Sequence, residues 1–136
     1  MPISYTISRD HRLIKAYATG TTRAPELHQL LDSILADPEL GPGLRGLYDA
    51  RFAEPDITVL ELADIAGKAR QLIKRGLGRI AIVAESPNTY RVATIFSVLA
   101  RAMSIDVDVF KDLSAAEAWL DEGGNDRPDG EHLAAR

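Results

Sequence analysis

Residues able to bind an anion follow the apolar run RIAIVA at positions 79–84. Ser86 and Thr89 carry hydroxyl groups, and Arg91 carries a positive charge. Together with the free amide groups at the start of a helix, such side chains can hold a phosphate or a carboxylate. The same stretch also suits a plain strand-to-helix turn, with Ser86 as the helix cap and Pro87 in the first helical turn. Both interpretations stay open, and the composition of the turn favours the second.

A second group of polar and aromatic side chains follows the stretch LRGLYDA at positions 44–50. Asp49 and Arg51 can form an ion pair that either orients a ligand or ties down a loop, and the second role is the favoured one. The rings of Phe52 and Tyr90 can supply the wall of a pocket. We therefore expect a site for an anionic or lipid-like molecule, formed by Arg51, Phe52, Ser86, Thr89, Tyr90 and Arg91.

The residue types that most catalytic and metal sites need are missing or scattered. There is no cysteine, which excludes disulfides, thiolate catalysis and cysteine-bound metals. His11, His28 and His132 have no partners at metal-ligand spacing. Neither a glycine-rich phosphate loop nor a GxSxG motif occurs. The sequence therefore predicts no catalytic residue, no metal and no cofactor, and a protein that is not an enzyme.

The distribution of charge argues against nucleic acid as a partner. The formal net charge is −4, and residues 121–136 hold five acidic side chains against two arginines. The remainder is close to neutral and lacks the basic face that nucleic-acid binding requires. We expect residues 1–120 to form a single domain, and residues 121–136, rich in Gly, Asp and Pro, to form a flexible acidic tail.

The apolar runs and the start of the sequence predict a cytoplasmic protein without a membrane span. The segment MPISYTISRDHR lacks the basic stretch and the long apolar run of a signal peptide. No apolar run approaches the roughly 20 residues that a membrane helix needs. We therefore expect the chain to reside in the cytoplasm.

Alternating strands and helices must position these residues. ISYTIS at 3–8 alternates apolar and polar residues, and it predicts a hairpin with the strand LIKAYAT at 13–19. Further strands are predicted at 44–50, 79–84 and 106–110, and helices from Pro25, at 58–75, at 88–103, and from Ser114, its cap, to near Leu120. The order ββαβαβαβα predicts an α/β fold with a mixed five-stranded sheet in sequential order and helices mainly on one face. The carboxyl ends of the parallel strands would then meet along one rim, where such sheets bind ligands.

The spacing of several stretches resembles the SpoIIAA-like fold of STAS domains, and in particular bacterial single-domain STAS/SEC14-like proteins. These stretches are the N-terminal hairpin, GLYDAR, GRIAIVAESP and DVDVFKDLSAAEAWL, and the resemblance covers about residues 3–120. It implies a non-catalytic role in protein interaction or regulation. Such a role requires an exposed apolar patch that a protein partner, or a second copy in a homodimer, covers. The alternative is a small carrier or sensor that binds a lipid-like or anionic molecule.

The resemblance also directs attention to Thr58. STAS domains that are phosphorylated carry an Asp-Ser motif at the start of the helix after the third strand. Here Asp56 is followed by Ile57, which argues against that phosphorylation switch and leaves Thr58 as the candidate phosphoacceptor. Thr58 and Glu61 also have the spacing of a capping box, and this structural role is the favoured one.

Overall fold

The hairpin predicted at the start of the chain is present. In the computed structural model, which describes residues 3–124, β1 (Ile3–Ser8) pairs antiparallel with β2 (Leu13–Thr22). Ile3 lies opposite Ala18, and the register continues without interruption to Ser8 opposite Leu13. The strict alternation of ISYTIS explains this pairing, because it turns the apolar side chains to one face.

The rest of the chain alternates helices with parallel strands. In chain order these elements are α1 (Ala24–Leu35), β3 (Arg45–Pro55), α2 (Val59–Lys74), β4 (Ile80–Val83), α3 (Pro87–Ala102), β5 (Val107–Phe110) and α4 (Leu113–Gly124). The strand order is β1-β2-β3-β4-β5, and β2 to β5 run parallel. The predicted mixed five-stranded α/β sheet with four helices is therefore confirmed.

The two faces of the sheet are covered unequally. α1, α2 and α3 enclose the main core on one face, because right-handed crossovers between successive parallel strands place their helices on the same side. On the other face α4 lies over β3, β4 and β5, and it forms a smaller core with Leu47, Val83 and Phe110. We call these the three-helix face and the α4 face.

Two arginine side chains attach the second half of α4 to the sheet. Arg79 is buried, and its Nη1 donates to the carbonyl oxygen of Trp119 at 2.9 Å while its guanidinium lies 4.2 Å from the centre of the Trp119 ring. Arg45 Nη1 donates to the carbonyl oxygen of Leu120 at 2.8 Å. Both guanidinium groups lie in the C-terminal half of α4, towards the end whose dipole favours positive charge.

β2 and β3 are longer than predicted. They extend to Thr22 and Pro55, where the sequence predicted ends at 19 and 50, and the two extensions pair with each other past a shift in register after Tyr17. The apolar pattern that predicted β2 ends at Gly20, because polar residues follow. Main-chain pairing does not depend on side-chain polarity, so the strand continues. Arg51 and Phe52 consequently lie in a strand and not in a loop at the rim.

The boundaries of α4 also differ from the prediction. Its cap is Asp112, whose Oδ1 accepts from the amide of Ala115 at 2.8 Å, and not Ser114. The helix continues to Gly124, four residues beyond the predicted end near Leu120. The remaining part of the predicted acidic tail, residues 125–136, lies outside the described residues.

Two glycines of the sheet and its connections should respond to alanine in opposite ways. A Cβ at Gly46 would lie 3.5 Å from Ile80, an ordinary contact, so Gly46→Ala should raise the free energy of unfolding by about 0.4–1 kcal/mol. At Gly76 φ is +107° and a Cβ would lie 2.6 Å from Pro42. Gly76→Ala should therefore lower the free energy of unfolding by more than about 1 kcal/mol. Urea unfolding followed by circular dichroism measures both, and equal effects would contradict the packing described.

Candidate functional site

Asp49 and Arg51 form a closely bonded ion pair on the α4 face. Asp49 Oδ1 accepts from Arg51 Nε at 2.9 Å and from the Arg51 amide at 3.2 Å, while Asp49 Oδ2 accepts from Arg51 Nη2 at 2.9 Å. The Asp49 side chain is only 2% exposed. The hydrogen bonds from Arg51 hold the pKa of Asp49 below its usual range, so the carboxylate stays charged. The pair therefore fixes the direction of the Arg51 side chain.

The guanidinium of Arg51 stands beside two exposed aromatic rings. It lies 5.7 Å from the centre of the Phe52 ring, and the Phe52 and Tyr17 ring centres are 6.4 Å apart with planes at 59°. Phe52 is 58% exposed and Tyr17 39%. We call Tyr17, Arg51 and Phe52 the aromatic patch. The sequence predicted two of its members but missed Tyr17, which needed the β2–β3 register to be placed beside Phe52.

Ser86 and Thr89 act in the attachment of α3 to the sheet. Ser86 Oγ accepts from the Thr89 amide at 3.4 Å and donates to Thr89 Oγ1 at 2.8 Å. Thr89 is buried, and its Oγ1 donates to the carbonyl oxygen of Ala53 in β3 at 2.8 Å. These contacts are those of the structural interpretation of the turn. Anion binding by the two hydroxyls stays a prediction.

Tyr90 and Arg91 lie near the start of α3 and contact residues outside the aromatic patch. Tyr90 packs against the core of the three-helix face, with Lys111 Nζ 5.0 Å from the centre of its ring. Arg91 is exposed, and its Nη2 donates to Asn88 Oδ1 at 3.0 Å. The six predicted ligand residues thus fall into two sets, with Arg51 and Phe52 on the α4 face and the other four at the start of α3.

Thr58 begins α2 as a reciprocal cap. Its Oγ1 accepts from the Glu61 amide at 3.2 Å, and its own amide donates to Glu61 Oε1 at 2.8 Å. The capping box predicted from the sequence is therefore formed. The Thr58 side chain is exposed, and its phosphorylation stays a prediction.

A cavity of about 150 Å³ lies between the sheet and the helices of the three-helix face. Its walls are almost wholly apolar, with the hydroxyl-bearing side chains of Thr22, Tyr48 and Thr89 among them. Burial, with a smaller contribution from the Glu26 carboxylate, raises the pKa of Tyr48, so its phenol stays neutral. Small residues line several inner positions: Ala16, Gly46, Ala50, Ala53, Ala69 and Ala93. They are a signal in the sequence that could have indicated the cavity, because they leave space between sheet and helices.

Residues 3–124 contain no cluster of three or more His, Asp or Glu side chains placed to hold a metal ion. No helix in this range combines the length and the apolar content that crossing a membrane requires.

The architecture and the strand order define an α/β protein with a SpoIIAA-like fold, as the sequence predicted. A solved structure with this fold is an uncharacterised protein of the DUF3478 family from Shewanella loihica PV-4. It superimposes with a TM-score of 0.54 at 20% sequence identity, over 87% of this chain and 93% of its own. No family model matches the chain, and neither does any curated protein.

Replacing the buried carboxylate of Asp49 should lower the stability of the protein. We expect Asp49→Asn to lower the free energy of unfolding at neutral pH by about 1.5–3 kcal/mol, the range for hydrogen bonds to charged groups. Folding lowers the pKa of Asp49 from 3.8, so its contribution is present above that pH and disappears as the pH falls through the folded-state pKa. The difference between wild type and variant should therefore shrink on acidification below about pH 4.

Urea unfolding across this pH range measures the effect. The matched control is Asp56→Asn, which removes an ion pair with Arg23. The Asp56 side chain is 72% exposed and that of Arg23 62%, so this variant should change the free energy of unfolding little. Equal stabilities of the two variants at neutral pH would show that the buried ion pair does not stabilise the folded protein.

Proposed function

We propose that this chain is a non-catalytic, STAS-like interaction module of the cytoplasm, and that the aromatic patch is the surface that contacts a protein partner. The observation that carries the proposal is the exposure of Phe52 beside an arginine that a buried carboxylate holds in place. Large apolar side chains exposed next to one another on a soluble domain are characteristic of contact surfaces.

The chemistry of the patch suits a protein surface. Aromatic and arginine side chains are the residue types that contribute most to protein interfaces. Arg51 is already held by Asp49, so little side-chain entropy remains to be lost on binding. The charge of Arg51 is compensated by the same carboxylate, which favours a partner with apolar and neutral polar groups over a free anion.

A photo-crosslinking residue tests the surface in cells. We expect p-benzoylphenylalanine introduced at position 52 to give a discrete crosslinked product with a partner protein. The control is the same residue at position 98, because Val98 on α3 is 59% exposed against 58% for Phe52 and lies on the three-helix side. Combining the position 52 probe with Asp49→Asn should reduce the yield. Equal crosslinking at both positions, or none at position 52, would contradict the proposal.

A specific observation favours a second function, the binding of a small apolar molecule. The cavity is lined by apolar side chains from β2, β3, β4 and the three helices above them. Apolar cavities of about 150 Å³ in proteins accept a single aromatic ring. A ligand of this cavity would therefore be a ring or a short alkyl group, and a complete lipid chain would need the cavity to widen.

Benzene is a suitable probe of the cavity. We expect it to raise the melting temperature of the wild type, because a ligand that binds only the folded state stabilises it. Ala69→Leu places a larger side chain into the cavity wall and should abolish the response. Ala102→Leu makes the same change at an exposed position of α3 and should leave it intact. No response of the wild type, or equal responses of both variants, would exclude the cavity as the binding site.

A further inference from the structure

The two edge strands of the sheet differ, and β5 is the one protected against pairing with a further strand. Arg101 Nε donates to the outward carbonyl oxygen of Val107 at 3.0 Å. Asp108 Oδ1 accepts from the amide of Val109 at 2.9 Å and from Arg101 Nη2 at 3.0 Å. Side chains thus occupy main-chain groups that a further strand would need. A short strand with charged residues is a common means of preventing edge pairing.

The edge formed by β1 has none of these protections. Its six residues include no charged residue and no proline, and its register with β2 is unbroken. Within residues 3–124, no side chain is hydrogen bonded to the main-chain groups of Ile3–Ile7 that face away from β2. The strand is also held firmly, since the Tyr5 hydroxyl donates to Asp37 Oδ2 at 2.7 Å and ties β1 to the end of α1. A regular, uncharged edge of this kind is a template for another strand.

The sequence of β1 identifies the strand that fits. When two copies of ISYTIS run antiparallel with Tyr5 opposite Tyr5, Ile3 faces Ile7 and Ser4 faces Thr6 across the two-fold axis. Each apolar side chain of β1 then meets an apolar side chain of the other copy on the three-helix face. On the α4 face the hydroxyl of Ser4 in each copy meets that of Thr6 in the other. Such cross-strand pairs stabilise antiparallel pairing, and a two-fold interface requires this self-complementarity.

We propose that β1 is a self-association site, at which two copies of this chain pair antiparallel about Tyr5 and join their sheets into one of ten strands. This proposal goes beyond the interaction surface of the aromatic patch and does not depend on it, because it uses the main-chain groups of β1 that face away from β2, although Ser4 itself lies opposite Tyr17. Main-chain hydrogen bonds supply the affinity of such strand addition, and the side-chain pairs supply its register.

Charge pairs introduced at the exposed positions 4 and 6 test the register. In Ser4→Glu/Thr6→Glu, like charges face each other twice across the axis, whereas in Ser4→Lys/Thr6→Glu each introduced lysine faces an introduced glutamate. Within one copy, Thr6 lies opposite Lys15 of β2, so a glutamate at position 6 is favourable in both variants. We expect the first variant to dissociate at least about tenfold more readily than the second, from the energies of cross-strand charge pairs.

Sedimentation equilibrium measures the mass over protein concentrations up to about 100 µM. The wild type and Ser4→Lys/Thr6→Glu should have twice the 14.8 kDa mass of one chain, whereas Ser4→Glu/Thr6→Glu should be largely monomeric. A monomeric wild type over this range would overturn the proposal. So would a dimer that both variants form equally well, since its interface would lie elsewhere.

Cysteine crosslinking gives an independent outcome, because the chain has no cysteine of its own. Ser4→Cys/Thr6→Cys places the thiol at position 4 of each copy opposite the thiol at position 6 of the other, within reach of a disulfide. In Ser4→Cys alone the two thiols are diagonal and too far apart in this register. A covalent dimer of the double variant and not of the single one is expected, and the reverse pattern would exclude the register.

Discussion

Parallel pairing of β2 to β5 in chain order is the constraint on which the rest of the structure depends. Right-handed crossovers in a constant direction place α1, α2 and α3 together on one face. That face holds the main core and the cavity. The other face receives α4, which covers β3 to β5 and leaves Tyr17 and Phe52 exposed. One rule of chain connection thus produces an apolar core with a cavity on one side and leaves the aromatic patch exposed on the other.

β3 links the two candidate sites. Ala50 and Ala53 face the cavity, while Arg51 and Phe52 between them belong to the aromatic patch. The irregular register with β2 in this region allows neighbouring residues to serve both faces. Because the sites lie on opposite sides of the sheet, a side chain can be changed in one without entering the other. The proposed partner contact and the proposed occupation of the cavity can therefore be tested separately by substitution.

Several arginine side chains join segments that are distant in the sequence. Arg79 and Trp119 are 40 residues apart in the chain, and Arg45 and Leu120 are 75 apart. Caps between residues three apart, such as Thr58 with Glu61, were predictable because local geometry alone defines them. The arginine contacts with α4 were not, since any arginine can reach many partners until the sheet fixes its position. For the same reason the sequence did not predict that Tyr17 lies beside Phe52.

The sequence by itself determined the order and type of the elements, the mixed sheet and the caps of α2 and α3, because hydrophobic period and capping chemistry act over a few residues. It also indicated that Asp49 and Arg51 can pair, and the structure contains this pair. Tertiary structure decided that β2 and β3 extend together, that Tyr17 lies beside Phe52, and that a cavity remains beneath the helices. Those outcomes depend on main-chain pairing and on packing between distant segments, which no local pattern of side chains encodes.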